Sequence, residues 1–389
     1  MTASRKIILP IIVISQFACT SLWFASNGVM ANLVQTFQLN PNAVGSLTSA
    51  IQFGFIIGTL TFAILTIADR FPPSRVFFIC AFIGALINLG MIWNGNTLLS
   101  LLFLRFLTGL CLAGIYPVGM KIAADHFKKG LGLSLGFLVG ALVLGTAFPH
   151  LLNSIIPQNL WKNVIIATSS SAALGGLIML LFVPNGPYRQ SAQRLELNAF
   201  FKVFQVPKFK AAAFGYFGHM WELYAFWAFV PIILSSYKSM HPNLILNIPY
   251  WSFLIIGTGG IACVLGGYLS KLYGEKRIAS IALFSSGLCC LISPIILSIS
   301  STVFLLSFLL FWGMVVIADS PLFSTLVAHN AQPKLKGTAL TIVNCVGFAI
   351  TIVSILILTL LSEYMDWKYL FIILAPGPIL GLIALYQKQ

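Results

Sequence analysis

Three formally charged side chains stand within long apolar runs: Arg105, Glu222 and Asp319. A charge at the centre of a bilayer costs roughly 2.5 to 3.5 kcal/mol on insertion scales, so each needs a partner or a task. His219 lies three residues before Glu222 in the stretch GHMWELY, and side chains three apart on a helix can meet. An imidazole beside a carboxylate in a low dielectric can bind and release a proton. Asp319 precedes Ser320-Pro321, where the proline removes a backbone donor and loosens the helix, and it is the second candidate acid. Arg105 is the candidate partner that tunes either acid. The competing reading is structural: a buried ion pair between Arg105 and an acid that only locks helices together.

The elements that carry these residues follow from composition. Of 389 residues, 59% are hydrophobic and 8% charged, with a mean hydropathy of +0.97. A soluble domain carries about 25% charged residues, so the chain is an all-α polytopic membrane protein. The opening MTASRK and the apolar run after it lack a small-residue cleavage site and are expected to form an uncleaved first span. Seven cysteines fall inside apolar runs without metal-ligand spacing, as small packing side chains do. No metal site and no cofactor are expected.

Apolar runs of about 20 residues give twelve spans, near 7–31, 42–67, 74–94, 97–120, 130–153, 162–184, 210–235, 247–270, 276–298, 301–328, 337–361 and 367–386. Placing the N-terminus inside puts eighteen Lys and Arg in inner segments against Lys162, Lys238 and Lys368 outside. A miscounted span would scramble that ratio, so both termini are expected to be cytoplasmic. The net charge of +14 therefore reports topology, not a nucleic-acid partner. Short loops and the absence of an organellar targeting segment point to a bacterial inner membrane.

The basic connection 185–209 separates six spans (1–184) from six (210–389). The halves echo each other. ADRFPPSRVF (68–77) matches SKLYGEKRIA (270–279) at an offset of 202, and KKGLGLSLGFLVG (128–140) matches LKGTALTIVNCVG (335–347) at 207, aligning Gly130 with Gly337 and Gly140 with Gly347. Internal duplication of this kind is the mark of repeat-built transporters.

Across essentially the whole chain this pattern resembles the major facilitator superfamily. The family's G-x-x-x-D-R-x-G-R-R signature between helices two and three survives as Asp69 and Arg70, with Arg75 one step late. Its second copy keeps Gly267, Gly274 and Lys276, with Lys271 where the acid would stand. The resemblance implies that Asp69, Arg70, Arg75, Lys271 and Lys276 form latches at the cytoplasmic helix ends, and Asp69 has the chemistry to cap a helix and pair with a base. Arg105 and Gly109 match R-x-x-x-G in helix four, where Gly109, Ala113 and Gly114 offer a close-packing face. The antiporter signature of helix five is not met, since Pro149 comes too late after Gly140 and Gly145. GHMWELY and ADSPLFS also resemble a bacterial, substrate-unassigned subgroup.

In that fold helices one, four, seven and ten line the central cavity, which implies that Arg105, His219, Glu222 and Asp319 face one aqueous path. Helix one adds Gln16, Ser21, Trp23 and Asn27, the last two four apart on one face. Among many aromatics, including Tyr216, Trp221 and Trp312, the preferred solute contacts are Trp23, Asn27, Tyr116, Tyr224 and Trp227. The expected function is a secondary transporter, not an enzyme, working as a monomer in the lipid bilayer. It would move a small solute by alternating access, coupled to protons through Glu222, with His219 and Arg105 tuning it and Asp319 either binding the solute or acting as relay. The alternatives are a nitrate/nitrite-type anion porter, disfavoured because spans two and eight lack arginine, and a polytopic membrane enzyme, disfavoured because the eight acids form no interfacial cluster. No G-x-x-x-x-G-K-[ST] motif is present.

Overall fold

The computed structural model describes residues 5–40, 42–127, 131–189, 202–332 and 335–387. Residues 190–201 of the expected central loop, and Lys128, Lys129, Gly130, Arg194, Lys334 and Lys388, lie outside the described residues. Eleven helices are long and apolar enough to cross a membrane. They are Ala43–Ile64, Pro73–Ile92, Leu98–His126, Gly132–Ile155, Lys162–Phe182, Pro207–Met240, Ile248–Tyr273, Glu275–Leu297, Thr302–Asn330, Lys336–Leu361 and Trp367–Tyr386, spans two to twelve. Span one is divided instead: helix Arg5–Thr20 stops, and the chain continues through Ala25–Gly28 and Met30–Phe37. All regular structure among the described residues is helical, and the chain forms two compact units, Met1–Leu195 and Glu196–Gln389.

Within each unit the main chains of two spans come into contact through glycine. In lipid no hydrophobic force brings helices together, so close packing of small residues does that work. A Cβ on Gly109 of span four would collide with the Ile51 carbonyl of span two. In the second unit a Cβ on Gly313 of span ten would collide with the Ile255 carbonyl of span eight. Both residues of the contact repeat at an offset of 204, between the 202 and 207 legible in the loops. The same offset relates the breaks in spans four and ten. Helix Leu98–Leu112 gives way to Tyr116–His126, and Thr302–Ala318 to Ser320–Asn330, with Pro117 and Pro321 each second in the new helix. Asp319 thus occupies the place of Ile115, at a helix break.

The break in span one has no counterpart. Span seven runs unbroken from Pro207 to Met240. It is held by Thr351 donating to the Met220 carbonyl (2.9 Å), by Trp221 Nε1 donating to the Ile373 carbonyl (3.0 Å), and by Tyr216 donating to Asn344 Oδ1 (3.1 Å). Trp221 is therefore a packing residue. In span one the turn at Ser21–Phe24 interrupts the helical ladder at the Leu22 and Trp23 carbonyls. Arg105 takes both: Nη1 donates to Leu22 at 3.0 Å and Nη2 to Trp23. Nη1 also reaches Asn88 Oδ1 at 3.4 Å, and Asn88 in turn donates to Ser169 of span six. At the offset of 204 the residue matching Arg105 is Leu309. Where the helix is unbroken, no guanidinium is needed.

Arg105→Leu would remove the guanidinium bonds to the Leu22 and Trp23 carbonyls, at about 1–3 kcal/mol for a buried carbonyl left without a donor, moderated by removal of a buried charge. Thermal unfolding of purified protein is expected at a clearly lower temperature for Arg105→Leu, with partial recovery in Arg105→Lys. Equal stability of Arg105→Leu and the parent would contradict the bracing role.

Candidate functional site

In the second half His219 does not meet Glu222, its neighbour three residues on. It turns to span ten, where its Nδ1 lies 2.8 Å from Asp319 Oδ1. That distance makes an ion pair when the imidazole is protonated, but the atoms are out of hydrogen-bond alignment. Both side chains are about 1% exposed, and His219 Nε2 and Asp319 Oδ2 have no hydrogen-bond partner. The rings of Tyr216 and Phe323 pack on either side of the imidazole, at 6.0 and 6.2 Å between centroids. Helical spacing could not reveal this pairing, because it depends on the break that carries Asp319 to the face of span seven.

Glu222 is enclosed separately. Trp312 Nε1 of span ten donates to its Oε1 at 2.6 Å, and Cys290 Sγ of span nine donates to the same oxygen at 3.3 Å. Trp312 is itself fixed by Phe226, stacked at 4.5 Å, and by Phe308 and Phe371. Glu222 therefore sits in a cage of neutral donors within its own half, and Arg105 is bound to carbonyls within the first. Cys290, which composition assigns to packing, is one of the donors to Glu222. Tyr224 and Trp227 meet at 5.3 Å, with Phe348 against Tyr224.

In the first half three expected solute contacts converge at the span-one break. Trp23 packs against Phe55 of span two at 4.9 Å and against Tyr116 of span four at 6.3 Å. One turn on, Asn27 Nδ2 donates to Thr48 Oγ1 of span two at 2.9 Å. Trp227, at the 204 offset from Trp23, is likewise fully buried.

The expected latch residues divide. Asp69 caps no helix, since span three begins after Pro72 without a side-chain cap. It pairs instead with Lys121 at 2.9 Å, and Lys121 reaches Asp125 at 3.5 Å. Arg189 Nη2 donates to the carbonyls of Asp69 (2.6 Å) and Phe71 (2.9 Å), while Tyr188 N donates to the Asp125 carbonyl. The loop after span two, the end of span four and the segment after span six are thus tied at one end of the half. In the second half His329 pairs with Glu275 at 3.2 Å, joining the end of span ten to the first residue of span nine. Lys276 lies over the Tyr386 ring at 4.8 Å. Arg70, Arg75 and Lys271 are exposed and form no ion pair among the described residues. Motif matching passed over Lys121, Asp125, Arg189, Glu275 and His329, although Lys121 and Asp125 stand four apart on one helix face.

Comparison with known proteins agrees with this architecture. Among curated proteins, an uncharacterized transporter of Buchnera aphidicola subsp. Acyrthosiphon pisum is 23% identical over 172 residues, which cover 43% of this chain and 41% of that protein. The chain thus spans less than half of that relative's length in the match. Three solved structures share the fold along nearly the whole chain. A point mutant of the nucleoside transporter NupG has a TM-score of 0.75 at 16% identity, covering 99% of this chain and 100% of that one. The human organic anion transporter MFSD10 has a TM-score of 0.71 at 15% identity, covering 98% and 99%. A bacterial homolog of the human lysosomal transporter Spinster has a TM-score of 0.70 at 13% identity, covering 99% and 95%. The Major Facilitator Superfamily model matches residues 12–355. With twelve apolar segments in two six-span halves and that match over most of its length, the chain is a multi-pass membrane transporter belonging to the Major Facilitator Superfamily.

Proposed function

We propose that the chain is a proton-coupled secondary transporter of a small solute, working by alternating access, in which the coupling proton resides on the His219–Asp319 pair. The carrying observation is this pair itself: two titratable groups buried in contact at a helix break, each with an unpartnered polar atom. A carboxylate and an imidazole held in contact can share a proton between them, which is what a proton carrier requires. Glu222 is assigned the other task. Two neutral donors on one of its oxygens fix it in place, and it aligns Trp312 between spans seven and ten. Arg105 acts as a brace for span one. The proposal keeps the cytoplasmic termini suggested by the distribution of basic residues, together with the bacterial inner membrane and a monomeric working unit. The nitrate/nitrite alternative lacks the arginines it would need on spans two and eight, and Arg105 of span four is engaged on backbone carbonyls.

Proteoliposomes with an imposed pH gradient test the coupling. Asp319→Asn is expected to abolish gradient-driven solute accumulation while leaving exchange of labelled for unlabelled solute at equal pH. Gradient-driven accumulation that survives in Asp319→Asn would remove the proton from this pair. Glu222→Gln, which keeps an oxygen for Trp312 Nε1, is expected to retain pH-driven transport. Glu222→Leu leaves that indole N–H unpartnered and is expected to lose about 1–3 kcal/mol of stability, read as earlier thermal unfolding relative to Glu222→Gln.

A further inference from the structure

The first half contains two buried carboxamides that its own packing does not satisfy. Gln16 and Gln52 are both 0% exposed, and neither the oxygen nor the nitrogen of either amide has a hydrogen-bond partner. Native interiors rarely leave such groups alone, and each one calls for an explanation such as a ligand or water. Their positions are informative. Thr48, Gln52 and Phe55 share a face of span two. Thr48 holds Asn27 and Phe55 packs on Trp23, so Gln52 faces span one between Asn27 and Trp23. Gln16 lies with its amide against Gly119 of span four, one turn beyond Tyr116, which also packs on Trp23. The two carboxamides thus flank the Trp23 ring, one turn to each side, roughly 9 Å apart along the helix axes at about 1.5 Å per residue.

We infer that this cluster is the solute site of the first half, and that its ligand is an uncharged hydroxylated ring of monosaccharide to nucleoside size. The inference rests on the transporter reading above and adds the substrate class to it. An indole face receives the apolar face of such a ring. A carboxamide both donates and accepts, as hydroxyl groups do, so one at each end reads the ring's edges without selecting for charge. Arg105, the charged side chain at the span-one break, is engaged: its terminal nitrogens bind the Leu22 and Trp23 carbonyls and the Asn88 network that reaches span six. A charged ring at Gln16 and Gln52 would be buried without a counter-ion.

The test is equilibrium binding to purified full-length protein in lipid nanodiscs, read by saturable thermal shift and without any pH gradient. The probes are hexoses, inositol and nucleosides, matched with hexuronates and hexosamines. At least one neutral ring is expected to bind more tightly than its charged counterparts. Gln52→Leu and Gln16→Leu are each expected to weaken that binding about three- to tenfold. Without ligand, each variant is expected to be as stable as the parent or more so, because an unsatisfied buried amide has been removed. Asp319→Asn is expected to bind as the parent does, which separates this site from the proton site: failure of coupling leaves binding intact, and the reverse. The inference is overturned if no neutral ring binds. It is equally overturned if the hexuronates bind best, which would bring the remaining Nε–H of Arg105 into play, or if the two glutamine variants destabilise the empty protein, which would make the amides structural.

Discussion

Hydrocarbon offers no hydrogen bond to a broken helix, and the first half answers that constraint with one guanidinium. Arg105 binds the Leu22 and Trp23 carbonyls where span one turns, so the same contact accommodates a buried cation and two carbonyl acceptors of the turn. Much else depends on it. The turn sets Trp23 against Phe55 and Tyr116, and brings Asn27 to Thr48.

The two halves share a frame and divide the chemistry. Glycine contacts, proline-marked breaks and a buried tryptophan recur at an offset of 204, yet the polar groups hung on that frame do not. Ile115 is matched by Asp319, Arg105 by Leu309, Gln52 by Ile256 and Gln16 by Met220. Of these residues the first half carries Gln16, Gln52 and an arginine bound to backbone, and the second carries Glu222, Asp319 and His219; a further buried histidine, His150, stands in span five of the first half. Such a division suits a rocking transporter, in which each half brings a different requirement to the cycle.

How much of this was legible depended on whether a feature is local. Span count follows from runs of apolar residues, and it succeeded even though the first span is divided, because hydropathy does not register a one-turn break. The repeat was legible in its loops, where charge and glycine survive, and its true offset became visible only through Gly109 and Gly313. Pairing failed wherever it depends on a break. His219 and Glu222 share a face on an unbroken helix, but Asp319, displaced by the turn before Pro321, competes successfully for the imidazole. Glu222's partners Trp312 and Cys290 come from two other spans, and no spacing rule links them. The Asp69 pair was half legible: its need for a base was clear, while Lys121, distant in the chain, became its partner through the packing of span four.

The most direct measurement is the infrared difference spectrum, between acid and alkaline pH, of the protein in lipid, following the protonated-carboxyl band. A titrating band that is lost in Asp319→Asn and kept in Glu222→Gln is the expected result, because Asp319 holds the exchangeable proton beside His219 while Glu222 is pinned by Trp312 and Cys290. A band that survives in Asp319→Asn and disappears in Glu222→Gln would contradict it and return the proton to Glu222.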